Sequence, residues 1–85
     1  MDLGVLRDQI DDIDKQIIRL FEERMDVAEQ VARCKIGCGK PVYDPVRERS
    51  KIERAKDMAT SSFNARGVET LFNQLMAISR VRQYE

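Results

Sequence analysis

Histidine and tryptophan are absent from this chain, and cysteine and proline occur only twice each. Without histidine, Cys–His catalysis is excluded, and the commonest metal ligand is missing. Cys34 and Cys38 form a single Cys-x3-Cys pair, short of the four ligands of a structural zinc site. They read as two reduced thiols, and neither a metal nor a haem is expected. An excess of either charge is also lacking. The 15 basic and 15 acidic residues cancel, and no basic stripe exists to grip a phosphate backbone, which argues against nucleic acid as a partner. No apolar run exceeds a few residues, so no segment can span a bilayer. The opening Met1-Asp2-Leu3-Gly4 does not have the charged-then-apolar layout of a signal peptide. A cytoplasmic location is therefore expected. Linkers, repeats and low-complexity tracts are missing as well.

What remains is a short chain with a strong pattern. Its 85 residues make one domain, spanning 1–85. A composition of 42% apolar and 35% charged residues fits a soluble helical bundle and not a disordered chain. A chain this small buries a low fraction of its surface, and self-association is a common remedy. Leu3, Leu6, Ile10, Ile13, Ile17, Leu20, Arg24, Val27, Val31 and Cys34 follow strict 3-4-3-4 spacing, a heptad seam. No Gly or Pro interrupts from Val5 to Ile36. The spacing predicts one helix from about Leu3 to about Gly37, roughly 50 Å long.

Gly37, Gly39 and Pro41 end that helix, since Gly terminates and a following Pro prevents continuation. Asp44-Pro45 starts a second, with a carboxylate cap and a proline suited to the first helical position. It should run to about Ala59, with Ile52, Ala55 and Ala59 inward. Thr60-Ser61-Ser62 reads as a loop, and Asn64 as the cap of a third helix to about Arg82. The apolar face of that helix includes Phe72, Leu75 and Met76. The fold class is all-α, with one long helix and two shorter ones. Two helices of half its length cannot cover the long seam, so a second copy of the chain should pair with it.

Some polar residues do not fit a plain bundle. Arg24 sits in the seam, where a polar residue can serve as a register device. Lys35 lies 11 residues further on, three turns plus about 20°, so both side chains leave nearly the same face roughly 16 Å apart. Two long cations converging on one space suggest an anionic ligand, although Lys35 alone could simply complement a helix C-terminus. Arg47 stands in the first turn of the second helix, opposing the dipole, with Glu48 beside it. Either pair membership in a site or plain solvation accounts for them. Ser79 and Gln83 extend the inward stripe of the third helix, and either reach solvent or line a site.

Together these residues resemble a family. Leu6-Arg7-Asp8-Gln9-Ile10-Asp11-Asp12-Ile13-Asp14, the run from Arg24 to Lys35, and Pro41-Val42-Tyr43-Asp44-Pro45-Val46-Arg47-Glu48 are similar, in order and interval, to the all-helical chorismate mutases. Ser79 and Gln83 match near the end. The resemblance implies an intertwined homodimer of three-helix chains. It also implies the rearrangement of chorismate to prephenate, on the branch toward phenylalanine and tyrosine, without cofactor or metal. Carried onto this chain, it implies that Arg24 binds one substrate carboxylate and Arg7 of the partner chain the other. Lys35 and Gln83 would be catalytic, donating to the ether oxygen from opposite sides. Glu48 would accept from the ring hydroxyl, with help from Lys35. Arg47 and Ser79 would border the carboxylates and ring, and Asp44 would act near the hydroxyl through its main chain. An intramolecular pericyclic reaction needs no base or nucleophile, so the missing histidine is no obstacle. Two other readings compete: an isochorismate-pyruvate lyase of the same fold, and a non-catalytic helical dimerisation module.

Overall fold

A computed structural model describes residues 1–84. The chain forms α1 (Leu3–Gly37), α2 (Pro45–Asp57) and α3 (Ser62–Tyr84), with no strand among the described residues. The Asp2 carboxylate caps α1, accepting from the Gly4 N–H at 2.8 Å. At the other end Gly39 takes a φ of 71°, a left-handed conformation that costs glycine little. The Gly39 N–H then bonds the Ile36 carbonyl at 3.2 Å, and the Lys40 N–H bonds the Lys35 carbonyl at 2.8 Å. This paired closure satisfies carbonyls that a helix end would leave open, and it turns the chain sharply just after Lys35.

The start of α2 is as expected, with Asp44 Oδ1 accepting from the Arg47 N–H at 3.0 Å and Pro45 at the first position. The start of α3 is not. Ser61, not Asn64, is the cap: its Oγ accepts from the Asn64 N–H at 3.1 Å, which places Asn64 inside the first turn. Both residue types can cap, and here the earlier one does. The earlier start adds Ser62, Phe63 and Asn64 to the helix, all three of them exposed.

α3 is the central element. It packs against α1 and against α2, while α1 and α2 do not pack on each other. The buried residues are Met25, Ala28 and Ala32 of α1 with Met76 and Ser79 of α3. Those α1 residues lie one position beyond Arg24, Val27 and Val31, so the intrachain core uses the stripe next to the heptad seam and not the seam itself. Ile10, Ile13, Ile17 and Leu20 are each more than half exposed. The molecule measures 56 × 25 × 15 Å, with a radius of gyration of 15.9 Å, against about 12 Å for a globular chain this long. Its accessible surface of 6849 Å² exceeds the roughly 5200 Å² typical of a monomer of this mass. Among the described residues no helix is long and apolar enough to cross a membrane.

Candidate active site

The C-terminal half of α1, the turn after it, the start of α2 and the end of α3 enclose a cleft of about 340 Å³, the size of a small-molecule site. α1 supplies Arg24, Val27, Ala28, Val31 and Lys35 to its lining. The turn gives Val42 and Asp44, α2 gives Arg47, Glu48 and Lys51, and α3 gives Met76, Ser79 and Gln83. Seven of the eight residues singled out from the sequence therefore meet in one place. Arg7 does not. It is exposed on α1, 17 residues ahead of Arg24, or roughly 25 Å along the axis.

Arg24, Lys35 and Asp44 are each held by a hydrogen bond. Arg24 is half-buried. Its Nη1 donates to Ser79 Oγ at 2.7 Å, and its Nη2 approaches Met76 Sδ at 3.9 Å. That bond explains a buried serine on an otherwise apolar face, and it holds the guanidinium with most of its five N–H groups still available. Lys35 Nζ donates to the Val42 carbonyl at 3.0 Å. The sharp turn at Gly39 brings that carbonyl back over α1, and two ammonium N–H groups remain for a ligand. Asp44 also lines the cleft, and its carboxylate is engaged in the cap of α2.

Glu48 pairs with Arg80 across α2 and α3, and the Arg80 guanidinium lies 5.0 Å from the centroid of the Tyr43 ring. The hydrogen bond to Glu48, more than the opposing desolvation, raises the Arg80 pKa above its ordinary value. Gln83 Oε1 is buried with no hydrogen-bond partner among the described residues. A buried unpaired amide atom costs about 1–3 kcal/mol, so this end of the cleft favours a ligand that supplies the missing partner. The unpaired atom is the acceptor, whereas the sequence-based expectation concerned the N–H₂ group. A half-turn of the amide exchanges the two.

The charge balance of the cleft is positive. Both carboxylates are already engaged, Asp44 by a backbone N–H and Glu48 by Arg80. Arg24, Lys35, Arg47 and Lys51 stand against apolar walls of Val27, Val31, Val42 and Met76. Sequence reasoning missed Lys51, although it lies one turn past Arg47 on the same face of α2. It also assigned Val27 and Val31 to the seam alone. Nothing in the spacing marks Arg80. Among the described residues no group of His, Cys, Asp or Glu could hold a metal. Cys34 and Cys38 are free and exposed, with Cys38 Sγ donating to the Cys34 carbonyl at 2.7 Å.

An all-helical domain with a cationic, apolar-walled cleft has the chemistry to take an anion. Comparison with known proteins narrows this. Residues 6–84 match the family described as chorismate mutase type II, and the chain belongs to that family. The T-protein of Haemophilus influenzae is 31% identical over 72 residues, which is 84% of this chain and 19% of that protein. A chorismate mutase of Methanocaldococcus jannaschii is 38% identical over 56 residues, 66% of this chain and 57% of that protein. The chain thus spans about a fifth of the first and little more than half of the second. Among solved structures, chorismate mutase (Form I) from Thermus thermophilus superposes with a TM-score of 0.85 at 26% identity, covering 91% of this chain and 96% of that one. The three-helix fold and the family read from the sequence are those the comparisons find.

Proposed function

We propose that this domain converts chorismate to prephenate by an intramolecular pericyclic rearrangement, as a cytoplasmic homodimer in aromatic amino-acid biosynthesis. The observation that carries the reading is the convergence of Arg24, Lys35, Arg47 and Lys51 on one apolar-walled cleft whose own carboxylates are already paired. Such a cleft suits a compact dianion. Arg24, held by Ser79, is placed to take a carboxylate through charge-assisted bonds. Arg47 and Ser79 border the same region. As the ether bond breaks, negative charge grows on its oxygen. A fixed Lys35, and the Gln83 N–H₂ group once the amide is turned toward it, stabilise the transition state more than the substrate. Glu48, beside the main chain of Asp44, accepts from the ring hydroxyl, with Lys35 contributing. Holding the reactive conformer adds an entropic share.

The second carboxylate is assigned to Arg7 of a partner chain. Arg7 lies too far from Arg24 to serve the same site within one chain. The exposed seam and the excess surface, roughly 1600 Å² over a globular monomer, supply room for a partner. Two measurements test the reading. Purified protein should consume chorismate, followed by absorbance, with prephenate as product. Loss of isochorismate instead would favour the lyase, and no saturable binding would favour a scaffold. Arg7→Ala and Arg24→Ala should each be nearly inactive. Mixed and reassembled, they should recover about a quarter of wild-type activity, because half the dimers then hold one intact site. No recovery after verified subunit exchange would remove Arg7 from the site.

A further inference from the structure

Arg80 does not line the cleft, yet among the described residues it holds the one ion pair to a cleft carboxylate. Its Nη1 donates to Glu48 Oε1 from α3 to α2, and its guanidinium rests over Tyr43 on the turn between α1 and α2. The two charged side chains are only 33% and 20% exposed, so solvent does little to loosen the geometry. A pair of this kind contributes little to stability, but its planar fork fixes direction. With Oε1 engaged, the second carboxylate oxygen is left for a ligand. We propose that Arg80 is a positioning residue: braced by Tyr43, it fixes the Glu48 carboxylate so that its second oxygen meets the ring hydroxyl of the substrate.

The inference rests on the chorismate mutase reading, and Arg80 acts on substrate only through Glu48. Glu48 meets the hydroxyl in substrate and transition state alike, so loosening it weakens binding more than turnover. Arg80→Met should therefore raise KM about tenfold, within the roughly 100-fold that an ångström of misplacement can cost, with a smaller change in kcat. Arg80→Lys, which still donates, should recover most of the loss. In a Glu48→Ala background, Arg80→Met should change KM by less than about twofold, since no carboxylate remains to be positioned. Should Arg80→Met fail to fold, Tyr43→Leu, which removes only the brace, should raise KM in the same direction and lose that effect with Glu48→Ala. An unchanged KM in Arg80→Met, or an equal effect in both backgrounds, would overturn the proposal while leaving the function standing. A wild-type protein that does not turn over chorismate would overturn the function, and this assignment with it.

Discussion

The two halves of α1 carry one heptad pattern and meet different fates. Up to Leu20 the seam residues stand on a helix with no buried position, and most are more than half exposed. From Arg24 onward, Val27 and Val31 wall a cleft, while the adjacent stripe of Met25, Ala28 and Ala32 is buried. The side-chain bonds from α3 to Arg24 and Glu29 lie in this second half. Hydrophobic periodicity thus says that a face needs cover; it does not say whether the cover is the same chain, a ligand or another copy. The half with a neighbour builds the site, and the half without one is where the proposed partner belongs.

The sharpest way to break that comparison is to charge the uncovered half. Ile13→Glu changes nothing inside the single chain, where Ile13 is already exposed. If a second copy covers the seam, the substitution buries an unpaired carboxylate at a cost of several kcal/mol, against a total stability of about 5–15 kcal/mol. The expected outcome is loss of the dimer by sedimentation and of most helical signal at micromolar concentration, since such chains have no stable folded monomer. A variant that stays helical and dimeric would show that the N-terminal half is not the interface.

A smaller effect is expected from the covered half, and on rate alone. Lys35→Ala removes one preorganised donor, a change that typically costs about 10²–10³ in kcat. Assembly and helicity should hold, because Ala is a good helix former and the Lys35 side chain bonds only the Val42 carbonyl among the described residues. Steady-state kinetics with circular dichroism on the same sample checks both. Near-normal turnover would take Lys35 out of the chemistry, and a lost fold would make its role structural.

The same contrast explains what was legible in the sequence. The bounds of α1 follow from the seam and from Gly39 and Pro41, and the start of α2 from Asp44-Pro45; each is a local signal. Arg24 and Lys35 stood out because helical geometry alone puts them on one face. The start of α3 is ambiguous in the sequence because Ser61 and Asn64 are both competent caps three residues apart. Met25, Ala28 and Ala32 do not stand out as core in the sequence: the two alanines carry little hydrophobic signal, and Met25 adjoins a strong seam. Lys51 and Arg80 needed the third dimension: one gains meaning from the cleft, the other from Glu48 and Tyr43 on two different segments.

The smallest expected effect lies at the far end of the α2–α3 pair, where Lys56 ties the covered region together. Its Nζ lies 2.5 Å from Glu69 on α3 and 3.6 Å from Glu53 on its own helix. The hydrogen bond to Glu69 raises the Lys56 pKa above 10.5; desolvation opposes it, and the charges of Glu53 and Glu69 add to the rise. A folded-state pKa above the unfolded value means that the contribution is complete below about pH 10.5 and fades as pH climbs through the raised value. The pair is part-exposed, at 29% for Lys56 and 44% for Glu69, so its share is small. Lys56→Met should lower Tm by a few degrees at most at neutral pH, and the gap to wild type should close as pH rises past 10.5. Lys56→Arg, which keeps its charge throughout that range, should show no such closing. Thermal melts of the three proteins from neutral to alkaline pH make the test. A gap that is constant with pH would mean that Lys56 acts through the packing of its stem and not through Glu69. A gap that widens would contradict the direction of the shift itself.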